Sequence, residues 1–184
     1  VTNCYNTGNI SGANGIGGVC GYNNGGTVTN CYNTGNISEA DVGGMCGLNN
    51  GTITNCYYLD DNATVLGGIN GSDAEGSAEA KTTEQFESGE VAYLLQGEQT
   101  EHIWGQDLKE NDTDTEYDKS PVLNGEKVYY GYLSCKDENK TYSNTEISQE
   151  KTHNYENGVC KVCQEVSNCA EHTYRNGLCE NCGI

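Results

Sequence analysis

Apolar positions in the first sixty residues come singly or in pairs, set among Asn, Gly, Thr and Ser, and they return at fixed intervals. Residues 1–11 recur letter for letter at 28–38, and a third copy begins at Ile53-Thr54-Asn55-Cys56-Tyr57 before diverging. Cys4, Cys31 and Cys56 mark periods of 27 and 25 residues. A second block, Gly17-Gly18-Val19-Cys20-Gly21-Tyr22-Asn23-Asn24-Gly25, returns as Gly43-Gly44-Met45-Cys46-Gly47-Leu48-Asn49-Asn50-Gly51, its cysteines 26 apart. Periods of this size mark a repeat architecture in which each copy buries its apolar stripe against the next.

The residue types favour β-structure over helix. Asn, Gly, Thr and Ser are poor helix formers, whereas Val, Ile, Tyr and Cys in short runs suit strands. Each copy divides into three expected strands, 27–32, 36–38 and 42–48. Asn33-Thr34-Gly35 and Asn49-Asn50-Gly51 form the turns, because Asn and Gly accept positive φ. Stacked copies place Cys on Cys, Asn on Asn and Tyr on Tyr. The expected fold class is mainly β: a β-solenoid resembling a parallel β-helix, then a small α+β capping segment and small zinc-knuckle-like Cys/His modules.

Composition would otherwise argue for disorder. Val, Ile, Leu and Phe number only 29 of 184 residues, and such a fraction with high charge normally leaves a chain unfolded. A repeat stack removes the objection, since it needs a thin stripe and not a globular core. The 9 basic and 27 acidic side chains give a net charge of −18. That surface repels nucleic acid and anionic membranes. No apolar run is long enough to span a bilayer, and no signal peptide is recognisable. The chain opens inside a repeat, without Met, and is read as a fragment of a larger protein.

The Gly-Tyr-Asn-Asn-Gly and Gly-Leu-Asn-Asn-Gly turns, each followed by Thr-[Val/Ile]-Thr-Asn-Cys-Tyr, resemble the GLUG repeat over residues 1–61. The resemblance implies a secreted or cell-surface bacterial protein of adhesin-like type, with the export signal and anchor outside this segment. Some immunoglobulin A proteases carry the same repeat. Their His-Glu-x-x-His centre has no counterpart, for none of His102, His153 and His172 lies in that pattern.

Residues 62–81 read as a loop or linker. Residues 82–134 read as the α+β cap closing the exposed end of the stack. Thr82 and Gln85 form a capping box, Phe86, Val91, Leu94 and Leu95 a helical stripe, and Gly97 a stop, with Gly89 dividing the run. Trp104 is expected in a core. Asn124-Gly125 is placed to turn a hairpin from Pro121-Val122-Leu123 into Lys127-Val128-Tyr129-Tyr130.

Residues 135–184 read as tandem zinc-ribbon-like repeats. His153, Cys160 and Cys163 are echoed by His172, Cys179 and Cys182 at a constant offset of 19. With Cys169 the second copy has four soft ligands in two close pairs about an Asn-Gly turn, the spacing of a structural zinc site. The first copy has three, and its fourth ligand is Glu150 or the more distant Cys135; a degenerate site without metal is the other reading. Disulfides compete, and an exported setting favours them. Against them stand the odd total of 11 cysteines and two histidines at matching offsets. The five solenoid cysteines read as buried small hydrophobes in columns, where pairing between neighbours is sterically allowed; the oxygen-poor bacterial habitat that the resemblance implies favours reduced thiols.

Asp112, Asp114, Glu116 and Asp118 alternate in an acidic run without the glycine and glutamate of a calcium loop, so calcium is not expected. No catalytic residues are identified. The reading is a non-catalytic structural or adhesive module presenting its repeats to glycans or surface proteins. An accessory region of an exported hydrolase or peptidase and a pure spacer are the alternatives.

Overall fold

A computed structural model of the chain describes residues 1–38, 42–60, 68–69, 78–111, 113, 115–156, 159–164, 174–175 and 178–179. The chain divides into two compact units, Val1–Val128 and Tyr129–Ile184. Among the described residues it is mainly β, with two short helices.

In the first unit the repeats run through β1 (Tyr5–Asn6), β2 (Ile10–Ser11), β3 (Ile16–Gly17) and β4 (Cys20–Asn23), then β5 (Thr27–Asn33), β6 (Ile37–Ser38), β7 (Val42–Gly43) and β8 (Cys46–Asn49). β9 (Thr52–Leu59) begins the third copy and β10 (Ala78–Lys81) adds a further rung. Every strand pairs in parallel with its counterpart one repeat on: β1-β5-β9-β10, β2-β6, β3-β7 and β4-β8. The registers join identical or equivalent residues, among them Tyr5 with Tyr32, Ile10 with Ile37, Cys20 with Cys46 and Cys31 with Cys56. The first two copies each have four strands where the sequence suggested three, because the Gly43-Gly44 and Gly17-Gly18 steps break the last one. A Cβ at Gly44 would strike the Tyr58 ring, so the bend is packed against a neighbouring rung.

Asparagines carry the stack between rungs. Asn6 Nδ2 donates to Asn33 Oδ1 at 2.8 Å, and Asn23 Nδ2 donates to Asn49 Oδ1 at 2.8 Å. Asn33 also closes its own turn, donating to Gly35 O (3.0 Å) and accepting from Gly35 N (3.1 Å). A second asparagine family, Asn3, Asn30 and Asn55, takes φ of 52°, 53° and 49°, a left-handed conformation that Asn tolerates better than most residues. This bend resets the strand's two-residue alternation. Val28 and Cys31, three apart, both enter the interior with Met45, Cys46, Ile53, Cys56, Tyr58 and Ala78. Tyr32 turns outward.

The outward tyrosines meet the helical segment. α1 (Thr83–Glu87) starts at the Thr82/Gln85 capping box, and α2 (Glu90–Gln96) lies between Gly89 (φ 88°) and Gly97. Phe86, Val91, Leu95 and Trp104 pack with Tyr32 and Tyr57. The Tyr5 and Tyr32 rings stack at 5.2 Å, and Trp104 lies 6.0 Å from Tyr5 and 5.6 Å from Tyr32. Trp104 Nε1 donates to Asn3 Oδ1 (3.2 Å), while Asn55 Nδ2 donates to Leu94 O (3.0 Å). One segment thus touches equivalent positions in all three copies, so it lies along the side of the stack. Gln106 Nε2 ties it together, donating to the Phe86 and Asp118 carbonyls (2.8 and 3.0 Å).

β11 (Trp104–Gly105) pairs with β12 (Val122–Leu123) antiparallel. The hairpin expected at Asn124-Gly125 does not form. Asn124 takes φ 57° and donates to Ile103 O (2.8 Å), while Gln106 N donates to Glu126 O (2.7 Å). Residues 122–126 therefore stay beside the Trp104 strand and do not fold back on 127–130.

In the second unit β13 (Tyr129–Gly131) pairs with β14 (Thr141–Ser143), β15 (Tyr155–Glu156) with β16 (Val159–Cys160), and β17 (Tyr174–Arg175) with β18 (Leu178–Cys179), all antiparallel. The last two hairpins share one register: Tyr155 faces Cys160 and Tyr174 faces Cys179. Among the described residues no helix is long and apolar enough to cross a membrane.

Two outcomes follow. Asn33→Ala removes three hydrogen bonds at a buried position, and should lower the unfolding free energy by roughly 2–3 kcal/mol in urea titrations; a change below about 0.5 kcal/mol would refute the ladder's role. Burial raises the Tyr32 hydroxyl to about 12, against a modest opposing pull from Ser120, and burial raises Tyr57 as well. Since the folded value lies above the unfolded one of 10.0, this stabilisation is full below pH 10 and is lost as pH rises toward 12. Tyrosinate absorbance should show a late phase coinciding with loss of the β circular-dichroism signal; ionisation of every tyrosine without unfolding would contradict it.

Candidate metal centre

The tail's Cys-x-x-Cys knuckle is built by the β15–β16 hairpin. β16 delivers Cys160 at its end, after which Lys161 N donates to Asn154 O (3.0 Å) and Gln164 N to Cys160 O (3.0 Å). This turn brings Cys163 back beside Cys160, and Gln164 leaves it with φ 66°. His153 precedes the hairpin, its ring stacked on Tyr155 at 5.5 Å and 17°. Cys135 comes from a separate turn in which Ser134 N donates to Asp137 Oδ2 (2.6 Å) and Asp137 N to Ser134 O (3.1 Å).

Cys135, His153, Cys160 and Cys163 converge, each offering one ligand atom within 4.8 Å of the others. The Cys135 and Cys160 sulfurs are 3.7 Å apart, and Cys163 Sγ lies 3.3 Å from His153 Nδ1. Disulfide bonding needs sulfurs at about 2.05 Å, far closer than this. Tetrahedral coordination with metal–sulfur bonds of about 2.3 Å places sulfurs about 3.8 Å apart. The four groups could hold a metal ion, and their spacing fits one.

Electrostatics agree. The backbone N–H of Cys163 holds the Cys160 thiol down to about 6, against its burial and with help from Val162 N–H and His153. Cys135 is pushed up to about 11, first by burial and then by hydrogen bonding with Cys163 and Cys160. Within the group the Cys160 thiolate is favoured and the Cys135 thiolate is resisted by its burial and its neighbours. A divalent cation among the sulfurs would remove that resistance and expel protons.

The sequence left the fourth ligand of this copy between Glu150 and Cys135. The structure brings in Cys135, while Glu150 is exposed and outside the group. The distance along the chain, 18 residues from Cys135 to His153, hid it from spacing rules. The second set, Cys169, His172, Cys179 and Cys182, lies outside the described residues apart from the backbone of Cys179. In the acidic run, Asp112 and Asp114 likewise lie outside them.

The cluster also stands where a core would be. Among the described residues after Val128, the buried apolar side chains are Cys135 and Cys160 alone. So small a unit needs a cross-link or a metal to stay folded.

Compared with known families, residues 12–38 match the model of the GLUG motif. No curated protein and no solved structure matches the chain.

A metal held by these four groups would stabilise the second unit, so in zinc-loaded protein its removal should act there. In the full chain, a strong chelator or Cys160→Ser should release about one equivalent of metal from this centre and expose residues beyond 128 to proteolysis. The β-stack of residues 1–128 should keep its circular-dichroism signal. Unchanged protection of the tail after metal loss would exclude a structural role for the cluster.

Proposed function

We propose that this chain is a non-catalytic structural and adhesive module of a large exported bacterial protein. In this reading the GLUG-type copies form a β-solenoid rod, and the Cys/His modules are closed by structural zinc. The observation that supports it is the in-register parallel pairing of every repeat strand with its counterpart. Such pairing repeats each outward side chain at rung spacing, about 4.8 Å.

The outward columns are suited to weak, repeated contact. Tyr22 and Leu48 occupy one register position and are 54% and 45% exposed, and Asn50 Nδ2 donates to Tyr22 OH at 3.1 Å. Thr54 Oγ1 donates to Thr29 Oγ1 at 3.0 Å, so hydroxyls line up along the same direction. Aromatic faces with amide and hydroxyl groups beside them can engage glycans or peptide backbone. Affinity then comes from many copies and not from one pocket. The net charge of −18 directs the partner away from nucleic acid and toward neutral or cationic surfaces.

Zinc is the ion that the ligand set favours. Three thiols and an imidazole are soft donors that select zinc over calcium or magnesium, which take oxygen. Four protein ligands complete a tetrahedron and leave no position for substrate, so the centre is structural.

The test is display. The full chain, multimerised on beads, should bind a subset of a glycan array or of purified epithelial surface proteins. Tyr22→Ala together with Leu48→Ala should lower that binding roughly tenfold, with the fold intact. Absence of any binding at high valency would reduce the module to a spacer.

A further inference from the structure

The interior cysteines form pairs whose arrangement follows the copies. Cys20 and Cys46 are Cα partners between the first and second copies; Cys31 and Cys56 are Cα partners between the second and third. Both pairs lie in one apolar cluster with Val28, Met45 and Ile53. Within each pair the two thiols are close enough to shift each other's ionisation. Cys56 Sγ also reaches across the rung to Val28 O, 3.8 Å away.

We propose that these two pairs are exchangeable dithiols, and that Cys20–Cys46 and Cys31–Cys56 close into disulfides that staple each copy to the next. In-register Cα atoms on neighbouring strands are about 4.8 Å apart, inside the roughly 4.4–6.8 Å that a disulfide spans. Together the two links would join all three copies. Cys4, exposed on the first copy, has no place in this scheme.

The oxidant is a low-molecular-weight disulfide, and the chemistry is thiol–disulfide exchange. The half-buried Cys20 thiolate attacks one sulfur, breaking the reagent's S–S bond and releasing one thiol. The Cys46 thiolate then attacks the Cys20 sulfur of the mixed disulfide and expels the second thiol. Two protein thiols lose two electrons and two protons, and one disulfide becomes two thiols. Cys31 and Cys56 are 0% and 1% exposed, so they exchange when the third copy opens. One thiolate of that pair then attacks the reagent and the other closes the disulfide, as at Cys20–Cys46.

The test uses the full, metal-loaded chain, incubated with glutathione disulfide, alkylated under denaturing conditions and mapped by mass spectrometry. Peptides linking Cys20 to Cys46 and Cys31 to Cys56 should appear, and the thermal midpoint of the first unit should rise by roughly 10 °C. Cys20→Ala should abolish the first link and keep the second, while leaving the buried Cys46 in place. Full alkylation of the four thiols after exposure, or links joining them to other cysteines, would overturn the proposal.

Discussion

Backbone hydrogen bonding between equivalent residues one repeat apart is the constraint on which the first unit rests. A parallel ladder holds every strand about 4.8 Å from the next, and equivalent side chains must then tolerate one another at that distance. Buried asparagine does so because its amide both donates and accepts, so Asn6–Asn33 and Asn23–Asn49 link rung to rung with polar groups satisfied. Tyrosine does so by stacking, as Tyr5 and Tyr32 do. Glycine turns do so by having no side chain: a Cβ at Gly35 would enter the Gly8 carbonyl of the preceding copy. Identity between copies is thus a packing requirement.

A left-handed asparagine converts this ladder into a two-faced wall. Without the bend at Asn30, Val28 and Cys31 would point to opposite sides. With it, both enter the interior, and Tyr32 is sent out to donate from its hydroxyl to Pro121 O at 2.6 Å. The helical segment is held by that outward aromatic column. Its length matches the column because Trp104 reaches Asn3 and Leu94 reaches Asn55.

The second unit answers the shortage of apolar residues differently. Its strands are short hairpins, and its described interior is the sulfur and imidazole cluster. Burial and ligand chemistry coincide at Cys135 and Cys160, so a metal held there would couple the unit's stability to the occupancy of the centre. Acidic residues outnumber basic ones threefold, and a surface of one sign helps to keep copies of the chain apart.

Much of this was legible in the residues alone. The repeat periods, the β character, the Thr82/Gln85 capping box and the ligand types of the tail are local or periodic, and a period is visible without knowing where the chain goes. Four features required the tertiary structure. The Gly-Gly steps divide the first two copies into four strands each because a neighbouring rung crowds them. Residues 122–126 pair with the Trp104 strand, overriding a strong local turn signal at Asn124-Gly125. The segment after residue 82 lies along the stack, since an outward tyrosine column offers more apolar surface than any local pattern reveals. Cys135 joins His153, Cys160 and Cys163 across 18 residues, and only a fold can say which distant thiol arrives. Sequence determines what repeats and what each residue can bond; long-range packing decides which partner it meets.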